Sequence, residues 1–528
     1  MKDRWPFAVA LLVGVAACYR YDLAELPIVL DNQTYFTIAE RAASGVAPHV
    51  SQFDPKNALS MLLTAAAMAV GRLFGADDVY AARAAGVLAT GLTFSLVWLA
   101  ARRLWQSRTA AWGAVVSLLV FHGFTYLGAM GSRPKVFLAM FEALALFAAA
   151  ERRFALLGVA AAASYLCWQP ALLLLGPAGL VALADEERWR AFGRTMGAAL
   201  AVVGVYELYF LLHGALADQL WQSLVFPFRY PKPGYGVGLT LERIFDVSVL
   251  LDRLRGADDW SPQSLATLVG NHTSRKGVVM LLFAAGLAAT TAAALVRPRT
   301  ALRAARERPG LWFLVLVSVG AVAFLTTDYQ GYPDRFFVLP MAAVVAGWVA
   351  TWPLRAVERR APWFQVPSAL LALGLAYTIV SAPHHNVVPY KLKDQRAAAA
   401  AVRQVLEDGY TVYAIGAPHL VAMNRVGNFN EYGFFPWRIR AHFLDRARRH
   451  GQWIPQKNGK MPDVVLTSRA GFSINSHWLE RHFRRSDRLL FSRQSVRVWV
   501  RRGLPYNLVP GRALRRAPPP GHGQGASK

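Results

Sequence analysis

Apolar segments long enough, or nearly long enough, to cross a bilayer recur along roughly the first 382 residues of this chain. In hydrocarbon every backbone polar group must be satisfied internally, so segments of this length fold as helices. They lie near 5–19, 79–101, 109–128, 134–150, 154–168, 170–184, 195–213, 275–296, 310–327, 336–353 and 363–381, giving about eleven spans at bilayer length. With 55% hydrophobic and only 17% charged residues among 528, the chain is too apolar for an ordinary soluble enzyme. The pair 154–168 and 170–184 is short and hinges at Trp168-Gln169-Pro170. The run Met1-Lys2-Asp3-Arg4-Trp5 precedes the first apolar stretch, and Cys18-Tyr19-Arg20-Tyr21 is a poor cleavage site, so the segment reads as an uncleaved first span. Cys18 and Cys167 both sit in apolar segments, which suits packing and not a disulfide framework.

The formal net charge is +26. A basic balance can signal nucleic acid, but here the charge falls in short runs between apolar segments, as the positive-inside rule requires. Arg102, Arg103 and Arg108 share one loop, and Arg152 and Arg153 another. Arg188, Arg190 and Arg194, then Arg297, Arg299, Arg303, Arg306 and Arg308, and finally Arg355, Arg359 and Arg360 follow. All of these loops fall on the side of the N-terminus, which the bias makes cytoplasmic in a multi-pass protein of the cell (inner) membrane. Nucleic acid is thereby excluded as a partner, and membrane lipids are implied.

The opposite face receives a loop over about 20–78, a loop over about 214–274, the turn 327–335, and everything after residue 382. In the first loop, Asn32 to Ala43 reads as a helix with Asp31 at its N-cap, and Ala58 to Phe74 as an amphipathic interfacial helix. Past residue 390, a helical pattern over Asp394–Leu406 and strand patterns at Tyr410–Ile415, Val464–Leu466 and Val496–Val500 predict a small α/β domain. The organisation is therefore a membrane domain over 1–389, an extracytoplasmic α/β domain over 390–505, and a basic Pro/Gly-rich tail over 506–528 that composition marks as disordered.

Ionisable groups held against a bilayer point to function. Asp31 suits a general base at the membrane surface, taking the proton of an acceptor hydroxyl; it equally suits an N-cap, and the roles are compatible. In Phe53-Asp54-Pro55-Lys56-Asn57, Lys56 can neutralise a phosphate as a point charge while Asp54 orients it or the acceptor; a surface ion pair is the structural alternative. The segment 226–236 brings Arg229, Tyr230 and Lys232 among aromatic rings, suited to a sugar face and a phosphate, or to an interfacial aromatic belt. Asp328, Tyr332, Asp334 and Arg335 form a similar group at the mouth of a span, with Arg335 placed to meet headgroup phosphate or Asp334. His384-His385 and His419 lack metal-ligand spacing. There is no Walker A, no dinucleotide fingerprint and no H-E-x-x-H.

The order Asp31-x-x-x-Tyr35-x-x-x-Ala39, then Phe53-Asp54-Pro55-Lys56, then Leu73-Phe74-Gly75 and Tyr80-Ala81-Ala82-Arg83, resembles the membrane-embedded GT-C glycosyltransferases. The branch it is most similar to holds the dolichyl-phosphate-mannose protein mannosyltransferases and the aminoarabinose lipid A transferases. The match is clearest over roughly residues 1–170 and continues more loosely through Gly331–Pro340. The resemblance implies a GT-C-like polytopic α-helical membrane fold with a small extracytoplasmic α/β C-terminal domain. It also implies a polyprenyl-phosphate-linked sugar donor, a lipid, glycan or protein acceptor, and Asp31 as catalytic base for inverting attack. Lys56 then holds donor phosphate with help from Arg229 and Arg335, Asp54 joins the catalytic pair, and Tyr35, Tyr230, Lys232 and Tyr332 line the substrate. The resemblance makes no cofactor certain, and a divalent cation stays possible. The chain departs from the family pattern at Asn32, where many relatives carry a second acid. It departs again at Lys135, where an acid is common at the start of the fourth span, and at Gln169, where a Lys is common.

A lipid-linked sugar transporter is the competing class. It predicts ionisable residues buried mid-span, whereas the conspicuous charges here lie in the outer loops. A polysaccharide ligase would use the 214–274 loop but leave Asp31 without a role.

Overall fold

A computed structural model describes residues 4–29, 31–230, 272–296, 306–329, 331–361, 390–433, 460–468, 476–489, 496–504 and 512–513, with a few isolated positions between them. It divides into two compact units. One comprises Met1–Leu23, Asp54–Phe226 and Pro231–His385; the other comprises Ala24–Phe53, Pro227–Tyr230 and Asn386–Lys528. The segment that carries Asp31 thus folds with the C-terminal residues, while Asp54 opens the helical body of the first unit.

In the first unit α1 (Arg4–Tyr19), α3 (Leu59–Leu73), α4 (Asp78–Trp105), α5 (Arg108–Leu119), α6 (His122–Ala129), α7 (Pro134–Ala150) and α8 (Phe154–Cys167) follow one another. A 3-10 turn (Gln169–Leu174) leads into α9 (Leu175–Leu183) and α10 (Arg188–Leu212). Then come α11 (Leu216–Leu220), a π-helical turn (Trp221–Val225) and α12 (Phe226–Arg229). The later helices are α13 (His272–Val296), α14 (Pro309–Asp328), α15 (Leu339–Ala350) and α16 (Trp352–Arg360). Local chemistry sets several ends. The Asp77 carboxylate accepts from the Val79 N–H to cap α4, and Ser107 Oγ accepts from the Ala110 N–H to cap α5.

Among the described residues four helices (α4, α10, α13 and α14) are long and apolar enough to cross a bilayer, and a bent pair makes a fifth if it counts as one span. That pair is the expected segment 109–128, which breaks into α5 and α6 with a bend of 69°. The cause is tertiary: Tyr21 Oη donates to the His122 carbonyl at 2.9 Å, and Arg20 Nη1 meets His122 Nδ1 at 2.9 Å. The segments expected at 5–19, 134–150, 154–168, 170–184 and 336–353 form shorter helices, the last two entered through 3-10 turns. The segment 363–381 lies almost wholly outside the described residues. Leu200, Leu208, Leu211 and Leu212 of α10 point outward, an apolar face suited to lipid. Inside the bundle α1 packs on α4, α4 on α7, α7 on α8, α8 on α10 and α5 on α15. The last contact is backbone to backbone: a Cβ on Gly347 would lie 2.2 Å from the Ala114 nitrogen, so only glycine fits.

The basic loops are bonded to one another. Arg103 pairs with Glu151 at 2.7 Å, and Arg152 pairs with Asp185 at 2.8 Å and donates to the Arg306 carbonyl. Ser107 Oγ donates to Glu358 at 2.6 Å. The loops that the charge pattern assigns to one side therefore meet at one end of the bundle.

The second unit holds α2 (Asn32–Ala43), α17 (Leu392–Glu407), β1 (Val412–Ile415), α18 (His419–Ala422), β2 (Val464–Thr467), α19 (Ser476–His482), β3 (Phe483–Leu489), β4 (Arg497–Arg501) and β5 (Arg512–Ala513). The sheet order is β1-β2-β4-β3-β5, parallel between β1 and β2 and antiparallel elsewhere. Val412 lies opposite Val464, and Val464 opposite Val500. The fully buried β1 and β2, apolar but for Thr467, are what a covered parallel pair requires. Ala398, Val402 and Val405 of α17 close over these strands with Leu420 and Val421. Arg512 and Ala513, which lie within the stretch expected to be a disordered tail, pair with β3.

Candidate functional site

In the first unit the loop 54–58 is held by side chains from distant elements. The Asp54 N–H donates to Gln222 Oε1 at 3.0 Å, and the Lys56 N–H donates to Asp54 Oδ1 at 3.2 Å across Pro55. Gln169 Nε2 donates to the Pro55 carbonyl at 2.7 Å and to the Ser223 carbonyl at 2.9 Å. Asn57 Nδ2 donates to the Tyr165 carbonyl, and the Ala58 N–H donates to Tyr206 Oη, both at 2.8 Å. Gln222 and Ser223 belong to the π-helical turn, a distortion that recurs at functional sites. With its backbone pinned on all sides, the loop presents the half-buried Lys56 from a fixed base.

Beside this loop lies a buried ion pair between Lys135 at the start of α7 and Asp334 in the 3-10 turn Tyr332–Phe337. The second Asp334 oxygen accepts from the Gly331 N–H at 3.1 Å. Lys135 also stands over the Trp168 ring, 4.3 Å from its centroid, and Phe337 meets that ring edge-on at 5.5 Å. Arg335 donates from Nε to Tyr329 Oη at 3.1 Å and lies over the Tyr332 ring at 5.5 Å. Lys276 lies over the same ring at 4.9 Å. Tyr332 has room because residue 123 is glycine: a Cβ there would fall 2.1 Å from Tyr332 Cε1. Asp334 is the carboxylate whose charge acts on Lys135, and two further cations, Lys56 and Arg133, act on it as well. Among the described residues Lys135, Lys56 and Arg133 outnumber the carboxylates Asp54 and Asp334 here, and such a balance in apolar surroundings suits an anion.

In the second unit Asp31 immediately precedes α2. Its carbonyl accepts from the Thr34 and Tyr35 N–H groups at 3.0 and 3.1 Å. Its side chain makes no capping bond to the helix amides, so the capping role is not the one its carboxylate performs. Asn32 and Tyr35, which follow it on α2, are buried. Gln395 of α17 pairs with the backbone of Ile28 and meets His419 Nε2 at 3.1 Å. Burial lowers the His419 imidazole to about 3 and keeps it neutral. Arg229 is exposed, and Tyr230 is half-buried with its ring edge 5.1 Å from His442. Lys232 lies outside the described residues, as do His384 and His385.

Asp54, Lys56, Tyr332 and Arg335 are thus in the first unit, and Asp31, Tyr35, Arg229 and Tyr230 in the second. Sequence reasoning noticed Lys135 and Gln169 only as departures from a pattern. Their partners lie 199 and 114 residues away, and only the awkward charge of Lys135 beside Pro134 signalled a role. It missed Gln222, Tyr206 and Gln395 entirely. It also took the charges to lie in the outer loops, and that is corrected by Glu142. This acid is fully buried midway along α7, and neither carboxylate oxygen has a hydrogen-bond partner among the described residues. A single acid in a 17-residue apolar helix is diluted in any hydropathy window. Among the described residues no group of three or more His, Cys, Asp and Glu side chains could hold a metal ion.

No protein-family model and no curated protein matches the chain by sequence. Among solved structures, ArnT from Cupriavidus metallidurans bound to undecaprenyl phosphate aligns with a TM-score of 0.56 at 15% identity, over 97% of this chain and 100% of that one. The same protein in the apo state aligns with a TM-score of 0.56 at 15% identity, over 96% and 98%. Archaeal oligosaccharyltransferase AglB from Archaeoglobus fulgidus, in complex with an inhibitory peptide and a dolichol-phosphate, is a more distant likeness at 0.49 and 13%, over 88% and 70%. At such identity the likeness to ArnT is one of fold, and it runs nearly the length of both chains. The fold of this chain is thus the fold seen in ArnT.

Proposed function

We propose that this GT-C-fold chain is an integral membrane glycosyltransferase that moves a sugar from a polyprenyl-phosphate donor to an acceptor hydroxyl on the extracytoplasmic face, with inversion. The observation that carries the reading is the cation surplus around Lys135: Lys56 and Arg133 act on it besides Asp334, and Arg335 and Lys276 flank Tyr332 nearby. A phosphate on a lipid is the anion such a site takes at a membrane surface, and the ArnT structure of the same fold holds undecaprenyl phosphate.

The chemistry balances simply. The Asp31 carboxylate takes the proton of the acceptor hydroxyl as its oxygen bonds to the anomeric carbon from the face opposite the phosphate. The carbon–oxygen bond to phosphate breaks, and the polyprenyl phosphate leaves with the electron pair. Lys56, with Lys135 and Arg335, stabilises the charge that develops there. Asp54 orients Lys56 through the turn its carboxylate closes. Arg229, Tyr230, Lys232, Tyr35 and Tyr332 are assigned to substrate. The reading keeps the N-terminus cytoplasmic, about eleven spans in the inner membrane, and the α/β domain of residues 390–505 outside.

Direct titration with polyprenyl phosphate tests it. A charge-assisted phosphate contact is worth about 1.5–3 kcal/mol, so Lys56→Ala weakens binding by roughly 10- to 150-fold. Unchanged affinity would remove the phosphate role of Lys56.

One observation favours the transporter reading, the buried Glu142 on α7, since a lone intramembrane acid can mark a path. Substituting it separates the two readings.

A further inference from the structure

We propose that Gln395 is a positioning residue for the Asp31 segment, so that the C-terminal α/β unit is part of the transfer machinery and not an appended domain. This rests on the reading of Asp31 as the base. The Gln395 side-chain amide makes a two-point bridge to one backbone residue 367 positions away: the Ile28 N–H donates to Oε1 at 2.8 Å, and Nε2 donates to the Ile28 carbonyl at 2.7 Å. The second Nε2 hydrogen faces His419 Nε2 at 3.1 Å. That contact makes Nε2 of the imidazole an acceptor and places its proton on Nδ1. Rotating the amide by half a turn would set oxygen against oxygen and N–H against N–H at Ile28, so one orientation is specified.

Ile28 lies three residues before Asp31, and its neighbours are tied to the same helix. The Leu392 N–H donates to the Glu25 carbonyl at 2.9 Å. Gln33 Nε2, from the first turn of α2, donates to the Ile28 carbonyl at 3.3 Å. At the far end of α2, Arg41 Nη1 donates to the Arg425 carbonyl at 3.0 Å. The Phe53 N–H donates to the Glu431 carbonyl at 2.9 Å, and the Phe53 ring stacks on Tyr432 at 5.3 Å. The segment 24–53 is therefore anchored before, along and after the helix that Asp31 opens, each time on residues of the C-terminal half. Gln395 is the anchor nearest to Asp31 and the only one of these that takes both the donor and the acceptor of a single backbone residue.

The test is Gln395→Met in the full chain, which keeps the length and apolar stem of the side chain but loses both bonds. A misplacement of about 1 Å can cost on the order of 100-fold in rate, so kcat falls about tenfold to a hundredfold while KM for donor and acceptor and binding of polyprenyl phosphate stay unchanged. Hydrogen exchange followed by mass spectrometry shows faster exchange confined to peptides covering 24–36, with β1, β2 and β4 still protected. If that variant fails to fold, Gln395→Glu serves; its protonated acid accepts from the Ile28 N–H and donates to the carbonyl, and it retains turnover that falls as pH rises. Unchanged kcat despite local loosening, or a loss that resides in KM, overturns the proposal. Exchange that rises throughout the sheet makes Gln395 a general structural residue and overturns it too. Asp31→Asn, measured alongside, keeps the two readings apart. Full activity in that variant sinks the base assignment, while an inactive Asp31→Asn with a fully active Gln395→Met sinks only the positioning role.

Discussion

Replacing Lys135 by Met leaves the Asp334 carboxylate buried with the Gly331 N–H as its remaining donor among those described above. Removing one partner of a buried pair costs about 3–5 kcal/mol, because the other charge is stranded. The ammonium over Trp168 at 4.3 Å accounts for roughly 2 kcal/mol of such a loss when desolvated. Replacing Asp334 by Leu strands Lys135 beside Lys56 and Arg133 and costs a similar 3–5 kcal/mol. Simple addition predicts roughly 6–10 kcal/mol for the double variant. With both charges gone, the Gly331 N–H loses its acceptor, and the double variant loses about 1–3 kcal/mol. Chemical unfolding of the four proteins in one detergent measures the cycle. Single variants that each lose less than about 1 kcal/mol, the scale of a solvated pair, would refute the burial argument. A double variant as unstable as the sum would refute the pairing.

Two further outcomes are expected. His419 has a folded pKa of about 3, below its ordinary 6.5, so the unfolded chain binds the extra proton; stability is flat above about pH 6.5 and falls by up to roughly 1.4 kcal/mol per unit as pH drops from there toward 3. Denaturation at pH 7.5, 6 and 5 should show this slope, and His419→Gln should remove that share of it; an unchanged slope would place the titration elsewhere. Glu142→Leu removes a buried polar group without a hydrogen-bond partner among the described residues and should stabilise the protein by about 1–3 kcal/mol while transfer continues. Loss of activity in a folded Glu142→Leu protein would instead put that acid on a functional path.

What was legible in the sequence follows from range. The bounds of α2, expected over Asn32 to Ala43, are those observed, because its helix formers and the acid before it are local signals. The strands at Val412–Ile415, Val464–Thr467 and Arg497–Arg501 fall on the runs expected at Tyr410–Ile415, Val464–Leu466 and Val496–Val500, each rich in strand-forming residues. The strand Phe483–Leu489 did not, since its sequence Phe-Arg-Arg-Ser-Asp-Arg-Leu carries too much charge to read as a strand. Hydropathy is continuous through Val120 and Phe121, so the break between α5 and α6 was invisible; its cause is the contact of Arg20 and Tyr21 with His122, about a hundred residues on. The site divides in the same way. Asp31, Asp54, Lys56 and Arg335 were visible as charges in awkward places, whereas Gln169, Gln222 and Gln395 are neutral amides whose meaning lies wholly in the carbonyls and amides they reach.

The central claim is that Asp31 deprotonates an acceptor hydroxyl for attack on a polyprenyl-phosphate sugar. The most direct measurement follows labelled sugar from that donor in purified protein, wild type against Asp31→Asn, with binding of the lipid phosphate measured on the same preparations. A positioned general base contributes about 10²–10⁴-fold. The account therefore predicts that transfer by Asp31→Asn falls by that factor while lipid-phosphate affinity is kept. An Asp31→Asn protein that transfers sugar at the wild-type rate would contradict it.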